Sequence, residues 1–533
     1  MRRREVTPYN AANQFAVHAV RPFIANPYLI AFIAGALAVL GFAPFDFFLL
    51  PMLALAVLFW LWSRTERPLQ AAGLGFAFGM GLFIFGIGWI YVALHVYGYM
   101  HPLLAALATA LFAAVNAALP ALAGYLQARC RVPSGVRILL LMPALWIIAE
   151  WVRGFLFTGF PWLSVGYSQV PHSPLAGYAP LLGVYGVSLM AAMSAGLLSF
   201  IVHRAIPFRT EWKQRKESRL RILMAVLLVL IWVVGASLRL IEWTQPQGEP
   251  LKISLLQGNI AQDEKFEEGK LIGTLETYRR LVEGSDARLI VLPETAVPLL
   301  RDNVPLNYQL MLGEHARRNG GDILIGAFEK EDGRYYNSVY SLGSAESQHY
   351  RKNHLVPFGE FIPLRRVLGW LINEVLQIPM GDLARGGAAQ APLNVAGQKV
   401  AVNICYEDAF GEEIIRALPA ATLLVNVTND AWYGESHAAM QHNQLSQMRA
   451  LEAGRMMLRA TNTGVTSVIG VDGRVQAMLP QHEEGVLTAQ AQGYVGSTPY
   501  VRWGNAAMLG LIVMMLLAAW RLQRRELSRP LEG

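Results

Sequence analysis

The sequence predicts a polytopic α-helical membrane bundle of about eight spans joined to an α/β layered domain. Three observations predict it. Long apolar runs fill the chain up to about residue 245 and return once after residue 500. Lysines and arginines collect at alternate ends of those runs. Between about 250 and 500 the composition is that of a soluble domain in which strand-like and helix-like segments alternate. This divides the chain into a bundle over 1–245, an extramembrane domain over 246–500, and a last span with a basic tail over 501–533.

The chain has 533 residues, of which 54% are hydrophobic and 16% charged. A soluble chain carries about 25% charge. The net charge of +7 does not point to nucleic acid, because the basic residues sit where membrane topology requires them. Arg2-Arg3-Arg4 and Arg21 precede the first span, and no removable signal peptide is evident.

The expected spans are Tyr28–Gly41, Phe47–Trp62, Ala71–Leu94, Leu103–Leu126, Ile138–Val152, Leu181–Val202, Ile222–Ile241 and Ala506–Trp520. The first two are short for a bilayer core of about 30 Å, which needs roughly 20 residues. Asp46 lies in the turn between them. A single re-entrant hairpin is the alternative, but the charges favour two crossings. Arg64 and Arg67 follow span two, and Arg129, Arg131 and Arg137 follow span four. Seven basic residues from Arg204 to Arg221 separate spans six and seven, and Arg521, Arg524, Arg525 and Arg529 follow span eight. The opposite ends are nearly free of them, Arg153 and Arg239 excepted. The alternation predicts both termini in the cytoplasm and the 246–500 domain outside. It also puts the two cysteines, Cys130 and Cys405, on opposite sides, so they cannot pair.

Between spans five and six lie Glu150-Trp151-Val152-Arg153-Gly154 and Thr158-Gly159-Phe160-Pro161-Trp162. Glu150 and Arg153 can pair on one helical face. The segment reads either as an interfacial aromatic belt with a snorkelling Arg153 or as a holder for a lipid phosphate.

The extramembrane domain opens with an alternating strand, Leu251–Asn259, followed by a helical stretch to Glu283. Arg288–Glu294 is a buried-type strand ending on a carboxylate. A helix around Leu306–Asn319 and a strand from Asp322 precede two strands that turn at Asp332-Gly333. The next strand leads to Lys352, and Val400–Ile404 runs into Cys405-Tyr406-Glu407-Asp408. The pair Gly320-Gly321 precedes a strand and reads as a turn.

Three strand-like segments thus end on Glu294, Lys352 and Cys405. A thiol near neutral pH needs a base or a nearby cation to act as nucleophile. A carboxylate can take the proton, and a lysine can lower the thiol pKa and hold an oxyanion. Together the three types match the roles of acyl transfer. Each also has a bland reading: a core cysteine, a turn-capping glutamate, a surface lysine. Spacing alone does not bring them together. His437 and His442, five apart, are weak evidence for a metal site, and neither metal nor cofactor is expected.

Leu292-Pro293-Glu294, Lys352-Asn353-His354-Leu355-Val356-Pro357-Phe358-Gly359-Glu360 and Ile404-Cys405-Tyr406-Glu407 resemble the Glu-Lys-Cys motifs of the nitrilase superfamily. Asn429–Gly434 resembles its following signature. With seven spans upstream and one downstream, the chain resembles the membrane-bound branch of that superfamily, the apolipoprotein N-acyltransferase family. Leu49–Met52, Gly159–Trp162 and Gly166–Gln169 agree with it. The resemblance implies a nitrilase-like αββα sandwich in the inner membrane of a bacterium, facing the periplasm. It implies ping-pong transfer of an acyl chain from a phospholipid, through a Cys405 thioester, to the α-amino group of a diacylated apolipoprotein. It implies Glu294 as base, Lys352 as oxyanion holder, Glu360, Tyr406 and Glu407 as supporting residues, and Trp243 and Arg153 as substrate contacts. An interfacial belt residue is the other reading of Trp243. A membrane-tethered amidase hydrolysing small amides, or an inert membrane scaffold, are the competing expectations. The segments 358–378 (Phe361, Ile362, Leu364, Val367, Leu368, Trp370, Leu371, Ile372) and 495–503 are unusually apolar for a soluble domain, and the first suits a lid or arm dipping into the membrane, or a buried core helix.

Overall fold

A computed structural model describes residues 26–203, 211–362 and 382–527 of the chain. The membrane half is helical: α1 (Pro27–Ala38), α2 (Leu49–Ser63), α3 (Pro68–Gly86), α4 (Pro102–Arg129), α5 (Met142–Arg153), α6 (Ala179–His203) and α7 (Glu211–Leu238). Among the described residues six helical stretches are long and apolar enough to cross a bilayer: Pro68–Gly86, Pro102–Arg129, Ser134–Arg153, Pro174–Val202, Ser218–Leu238 and Ala506–Arg525. α1 and α2 are apolar but shorter, as the sequence suggests.

The bundle packs through small residues, because lipid gives helices no hydrophobic reason to associate. A Cβ at Gly35 of α1 would fall 2.0 Å from the Phe78 carbonyl oxygen of α3, and one at Gly81 would meet the Phe32 oxygen at the same distance. Only glycine permits this approach. Outward positions carry leucine and valine, among them Leu103, Leu107, Leu111, Ile222 and Val229, all exposed.

Among the described residues the extramembrane half has twelve strands: β1 (Thr244–Gln257), β2 (Leu289–Val291), β3 (Asp322–Glu331), β4 (Arg334–Gly343), β5 (His349–Arg351), β6 (Leu393–Val395), β7 (Gln398–Ile404), β8 (Leu423–Thr428), β9 (Met457–Thr461), β10 (Ser467–Ile469), β11 (Val475–Met478) and β12 (Gly485–Gly496). They form two six-stranded sheets, ordered β12-β1-β2-β3-β4-β5 and β11-β10-β9-β8-β7-β6. β1, β2 and β3 run parallel, as do β7, β8 and β9.

Strand alternation sets the layers. Ile253, Leu255, Leu289 and Val291 of one sheet share a core with Val400, Val402, Ile404, Val425 and Val427 of the other. Leu256 and Ile290 turn outward onto helices α8 (Leu271–Glu283) and α9 (Leu306–Arg318), through Tyr278, Leu281 and Leu312. Ala401 and Leu424 turn outward onto Ala450 and Ala453 of α10 (Ala438–Ala453). The result is a helix–sheet–sheet–helix sandwich. The β3–β4 hairpin turns at Asp332 and Gly333, both at positive φ, as expected from the sequence. The chain closes with α11 (Ala506–Leu527).

α10 lies between the sandwich and the bundle, so it is buried on both faces. Its polar side chains find partners on the bundle. The Gln441 Oε1 accepts from the indole N–H of Trp162 (2.8 Å) and of Trp89 (3.2 Å). Gln444 accepts from the Ala43 N–H at 3.2 Å and donates to Asp46 at 3.2 Å. Satisfied polar groups of this kind fix one docking geometry, because an unpaired buried group costs about 1–3 kcal/mol.

Candidate active site

Glu294 and Cys405 stand just past the carboxyl ends of parallel strands β2 and β7, where open α/β sheets collect their functional groups. Lys352 follows β5, its N–H bonded to the Asn337 carbonyl at 2.8 Å. The structure brings all three together. The Lys352 Nζ is 3.6 Å from Glu294 Oε1 and donates to Glu360 Oε1 at 2.9 Å. Only 1% of Lys352 is exposed, so its charge must be answered inside the protein.

The carboxylates are oriented by separate donors. Glu294 Oε1 accepts from the Asn337 side chain at 2.7 Å, and Oε2 accepts from the Asn429 N–H at 2.9 Å. Glu360 accepts from Asn337 at 3.2 Å and, through Oε2, from the Val356 N–H at 2.8 Å. Asn429 belongs to the signature that follows the nucleophile, so that segment delivers a backbone donor to Glu294.

Cys405 has φ +55°, a left-handed conformation that a β-carbon disfavours. Two devices hold it. Glu407 accepts from the N–H of Ile404 (2.7 Å), Asn353 (2.7 Å) and His354 (3.0 Å) and from the Tyr350 hydroxyl (3.0 Å). It thereby ties the cysteine turn to the residue after Lys352. Behind the turn, the Cys405 carbonyl accepts from Asn426 at 3.1 Å and lies 3.3 Å from His442 Nε2.

His442 bonds Asp408 through Nε2 (2.9 Å) and Asp430 through Nδ1 (2.7 Å). Arg459 bonds the same two carboxylates, each at 3.0 Å. Two cations and two anions therefore close a buried network under the nucleophile. Asp408 and Asp430 outweigh the effects of burial and of Arg459, and hold the His442 pKa up at about 9.

The electrostatics assign protonation states. Burial pushes the Cys405 thiol far above the ordinary thiol range, the Glu294 charge adds to this, and Lys352 opposes it without prevailing. At rest the sulfur is a thiol. The sequence expectation that a lysine lowers its pKa holds for the Lys352 contribution alone. Burial disfavours the Lys352 ammonium, but Glu360, Glu294 and Cys405 hold it well above the ordinary lysine range. Lys352 is therefore charged.

Tyr406 points toward the bundle. Its hydroxyl donates to the Gly159 carbonyl at 3.0 Å, and its ring lies beside Phe160, Trp162 and Phe410. Arg153 is 5% exposed. Its guanidinium donates to the carbonyls of Phe160 (2.8 Å) and Trp162 and to Ser164 Oγ (3.2 Å). Glu150 accepts instead from Trp146 Nε1 (2.8 Å) and the Val165 N–H (3.0 Å). Arg153 thus clamps the loop under Tyr406, where the sequence left a snorkelling belt residue and a phosphate holder both open. Trp243 sits half-buried between α7 and β1, and its buried indole N–H has no hydrogen-bond partner among the described residues. The expected lid lies outside the described residues from 363 onward; Phe358 before it is exposed. Of the second apolar segment, Trp503 is exposed and Tyr500 buried.

Sequence reasoning missed Asn337, Lys265 and the Asp408–His442–Arg459–Asp430 network. A polar Asn337 inside β4 and a charged Arg459 inside the apolar strand β9 are signals that could have found two of them.

The membrane half matches the apolipoprotein N-acyltransferase N-terminal domain over residues 34–197, and residues 252–500 match the carbon-nitrogen hydrolase domain. An apolipoprotein N-acyltransferase of Nitrosomonas europaea is 50% identical, covering 92% of this chain and 96% of the relative. That of Chromobacterium violaceum is 44% identical, covering 92% and 94%. Among solved structures, a CN-hydrolase superfamily protein of Xanthomonas campestris covers 50% of this chain and 97% of its own, at 18% identity and a TM-score of 0.34. With relatives this similar along almost its whole length, the chain belongs to the apolipoprotein N-acyltransferase family of bacterial membrane enzymes.

Proposed function

We propose that the protein transfers an acyl chain from a membrane phospholipid to the α-amino group of the S-diacylglyceryl-cysteine at the N-terminus of an apolipoprotein, by a ping-pong reaction through a Cys405 thioester. The observation that carries this reading is the convergence of Glu294, Lys352 and Cys405 from three strand ends into one buried cluster. The protonated thiol gives its proton to Glu294 as sulfur attacks the ester carbonyl, so no free thiolate has to persist in a buried site. The oxyanion forms beside the charged Lys352. Collapse breaks the ester C–O bond, and Glu294 returns the proton to the departing glycerol oxygen, giving lysophospholipid and the thioester. The acceptor amine then attacks the thioester, its proton passes to Glu294, and Cys405 leaves and regains a proton.

Glu360 holds Lys352 and, with Asn337, sets its distance to Glu294. Glu407 fixes the nucleophile turn, and Tyr406 joins it to the loop that Arg153 clamps. Arg153 therefore acts as a positioning residue, and Trp243 takes part at the membrane junction. The bundle has a task in this reading, since both substrates carry acyl chains and the thiol must stand beside lipid. The charge alternation along the spans supports a topology with both termini in the cytoplasm and the sandwich in the periplasm.

The test is transfer of a labelled acyl chain from phospholipid to a synthetic diacylated lipopeptide by purified enzyme in detergent. The wild type is expected to acylate the lipopeptide amine, and Cys405→Ala to transfer nothing. Label recovered only as free fatty acid would replace transfer by hydrolysis, and turnover by Cys405→Ala would remove the thioester.

A further inference from the structure

Lys265 is a second lysine at the cluster. It lies in the loop after β1, in a stretch, Gln262-Asp263-Glu264-Lys265, that reads as solvated. The loop is instead pinned inward. The Ile260 N–H donates to the Asn462 side chain (3.0 Å), Asn462 donates back to the Ile260 carbonyl (2.7 Å), and Asn429 donates to Gln262 (2.7 Å). Only 2% of Lys265 is exposed, and its Nζ donates to the main-chain carbonyl of Glu294 at 3.0 Å. Among the described residues no carboxylate pairs with it, whereas Lys352 has two. A buried ammonium held by a single carbonyl is expensive unless it answers charge nearby. The charges it feels are those of Glu294 and Cys405, and burial brings its pKa down to about 8 against their pull.

We infer that Lys265 is a positioning and charge-balancing residue for the acylation, holding the Glu294 backbone and supplying the second positive charge that the Glu294–Cys405 proton transfer requires. This rests on the thioester reading above. Two ammoniums, Lys265 and Lys352, then face two anions in each proton state: Glu294 and Glu360 before transfer, and after it Glu360 with the negative charge that the attacking sulfur passes to the oxyanion. With Lys352 alone, the anions would outnumber the cations throughout. The proton moves from sulfur to carboxylate at constant net charge, and the buried site never has to solvate an excess anion.

The readout is the pH dependence, between about pH 6 and 10, of the rate of Cys405 alkylation by iodoacetamide, followed by mass spectrometry on full-length enzyme in detergent. Other titratable groups facing the sulfur are Glu294, Lys352, Asp430, Tyr406 and Tyr433, all unchanged by the substitutions. In the wild type the rate is expected to rise with pH and to bend over near pH 8, where Lys265 loses its charge and stops favouring the thiolate. Lys265→Met is expected to react about tenfold or more slowly at pH 7, without the bend. Lys265→Gln keeps a donor for the Glu294 carbonyl but no charge, and is expected to behave as Met does. Lys265→Arg is expected to restore the rate at pH 7 and to stay charged through the bend. A wild-type rate and profile in Lys265→Gln would reduce the residue to a hydrogen bond and overturn the charge role. A wild-type profile that rises through pH 8 without a bend would overturn the inference even if the Lys265 variants do not fold. Failure of the wild type to form any acyl adduct from phospholipid would count against the thioester reading alone, since the alkylation profile does not depend on it.

Discussion

Replacing Glu407 by glutamine tests how the nucleophile is held. Glu407 Oε1 accepts from the N–H groups of Asn353 and His354, and Oε2 accepts from that of Ile404. Glutamine keeps the shape but turns one oxygen into a donor. With its nitrogen at the Oε1 place it would confront two N–H groups; at Oε2 it confronts one. The side chain therefore settles with nitrogen toward Ile404, and Tyr350 donates to the oxygen that remains. One buried N–H is left without an acceptor, at about 1–3 kcal/mol, with the upper end expected because the lost acceptor was charged. Ile404 immediately precedes Cys405, and Asn353 immediately follows Lys352, so the strain falls on the separation of thiol and ammonium. A misplacement near 1 Å costs roughly 100-fold in rate. The assay is single-turnover formation of the Cys405 acyl adduct with excess phospholipid, beside thermal melting. Glu407→Gln is expected to melt lower and to acylate about 100-fold more slowly. Acylation within about threefold of the wild type would refute the argument that these bonds set the geometry.

Gly326→Ala acts on the base. A Cβ there would lie 2.3 Å from the Pro293 oxygen and 2.9 Å from the Glu294 Cα, so the backbone carrying Glu294 must shift. Adduct formation is expected to fall at least about tenfold, at an overpacking cost of about 1–3 kcal/mol by thermal melting. Arg153→Lys is expected to lower the melting temperature while leaving the phospholipid KM nearly unchanged, because one ammonium cannot serve the carbonyls of Phe160 and Trp162 and Ser164 together; a raised KM with unchanged melting would instead mark a head-group contact. The His442 network predicts a pH dependence of stability. Its imidazolium is favoured in the fold, so its contribution is complete below the ordinary value of 6.5 and is lost as pH rises through about 9. Asp430, drawn down to about 2 by His442 and Arg459 against burial, contributes above its ordinary 3.8 and loses that as pH falls toward 2. His442→Asn is expected to flatten the alkaline limb of a melting-temperature profile.

The parts of the fold that follow from period and composition were legible in the sequence. Apolar runs of bilayer length gave the six long helices among the described residues, and alternation in β1 and the Asp332-Gly333 turn gave strands and a hairpin. The short α1 and α2 resisted a length rule because they are completed by a tight turn that packs on α10. The αββα arrangement rested on a resemblance, since nothing in the residues says that β2 and β7 belong to facing sheets. At the site, Glu294, Lys352 and Cys405 were visible as chemistry-bearing strand ends. Asn337 and Lys265 were not, because each does its work through a partner far along the chain: 43 residues separate Asn337 from Glu294 and 29 separate Lys265 from it. Arg153 shows the converse. Its place in an aromatic loop at a helix end suggested lipid, and only the folded loop brings three of its own acceptors into the fork. His442, read as a weak metal candidate, spends both ring nitrogens on Asp408 and Asp430.

If the sulfur of Cys405 carries the acyl chain, purified enzyme incubated with phospholipid and no acceptor gains the mass of one acyl chain by intact mass spectrometry. Hydroxylamine is expected to remove that gain, and Cys405→Ala to lack it. Bound phospholipid with a free thiol and no adduct would rule the thioester out.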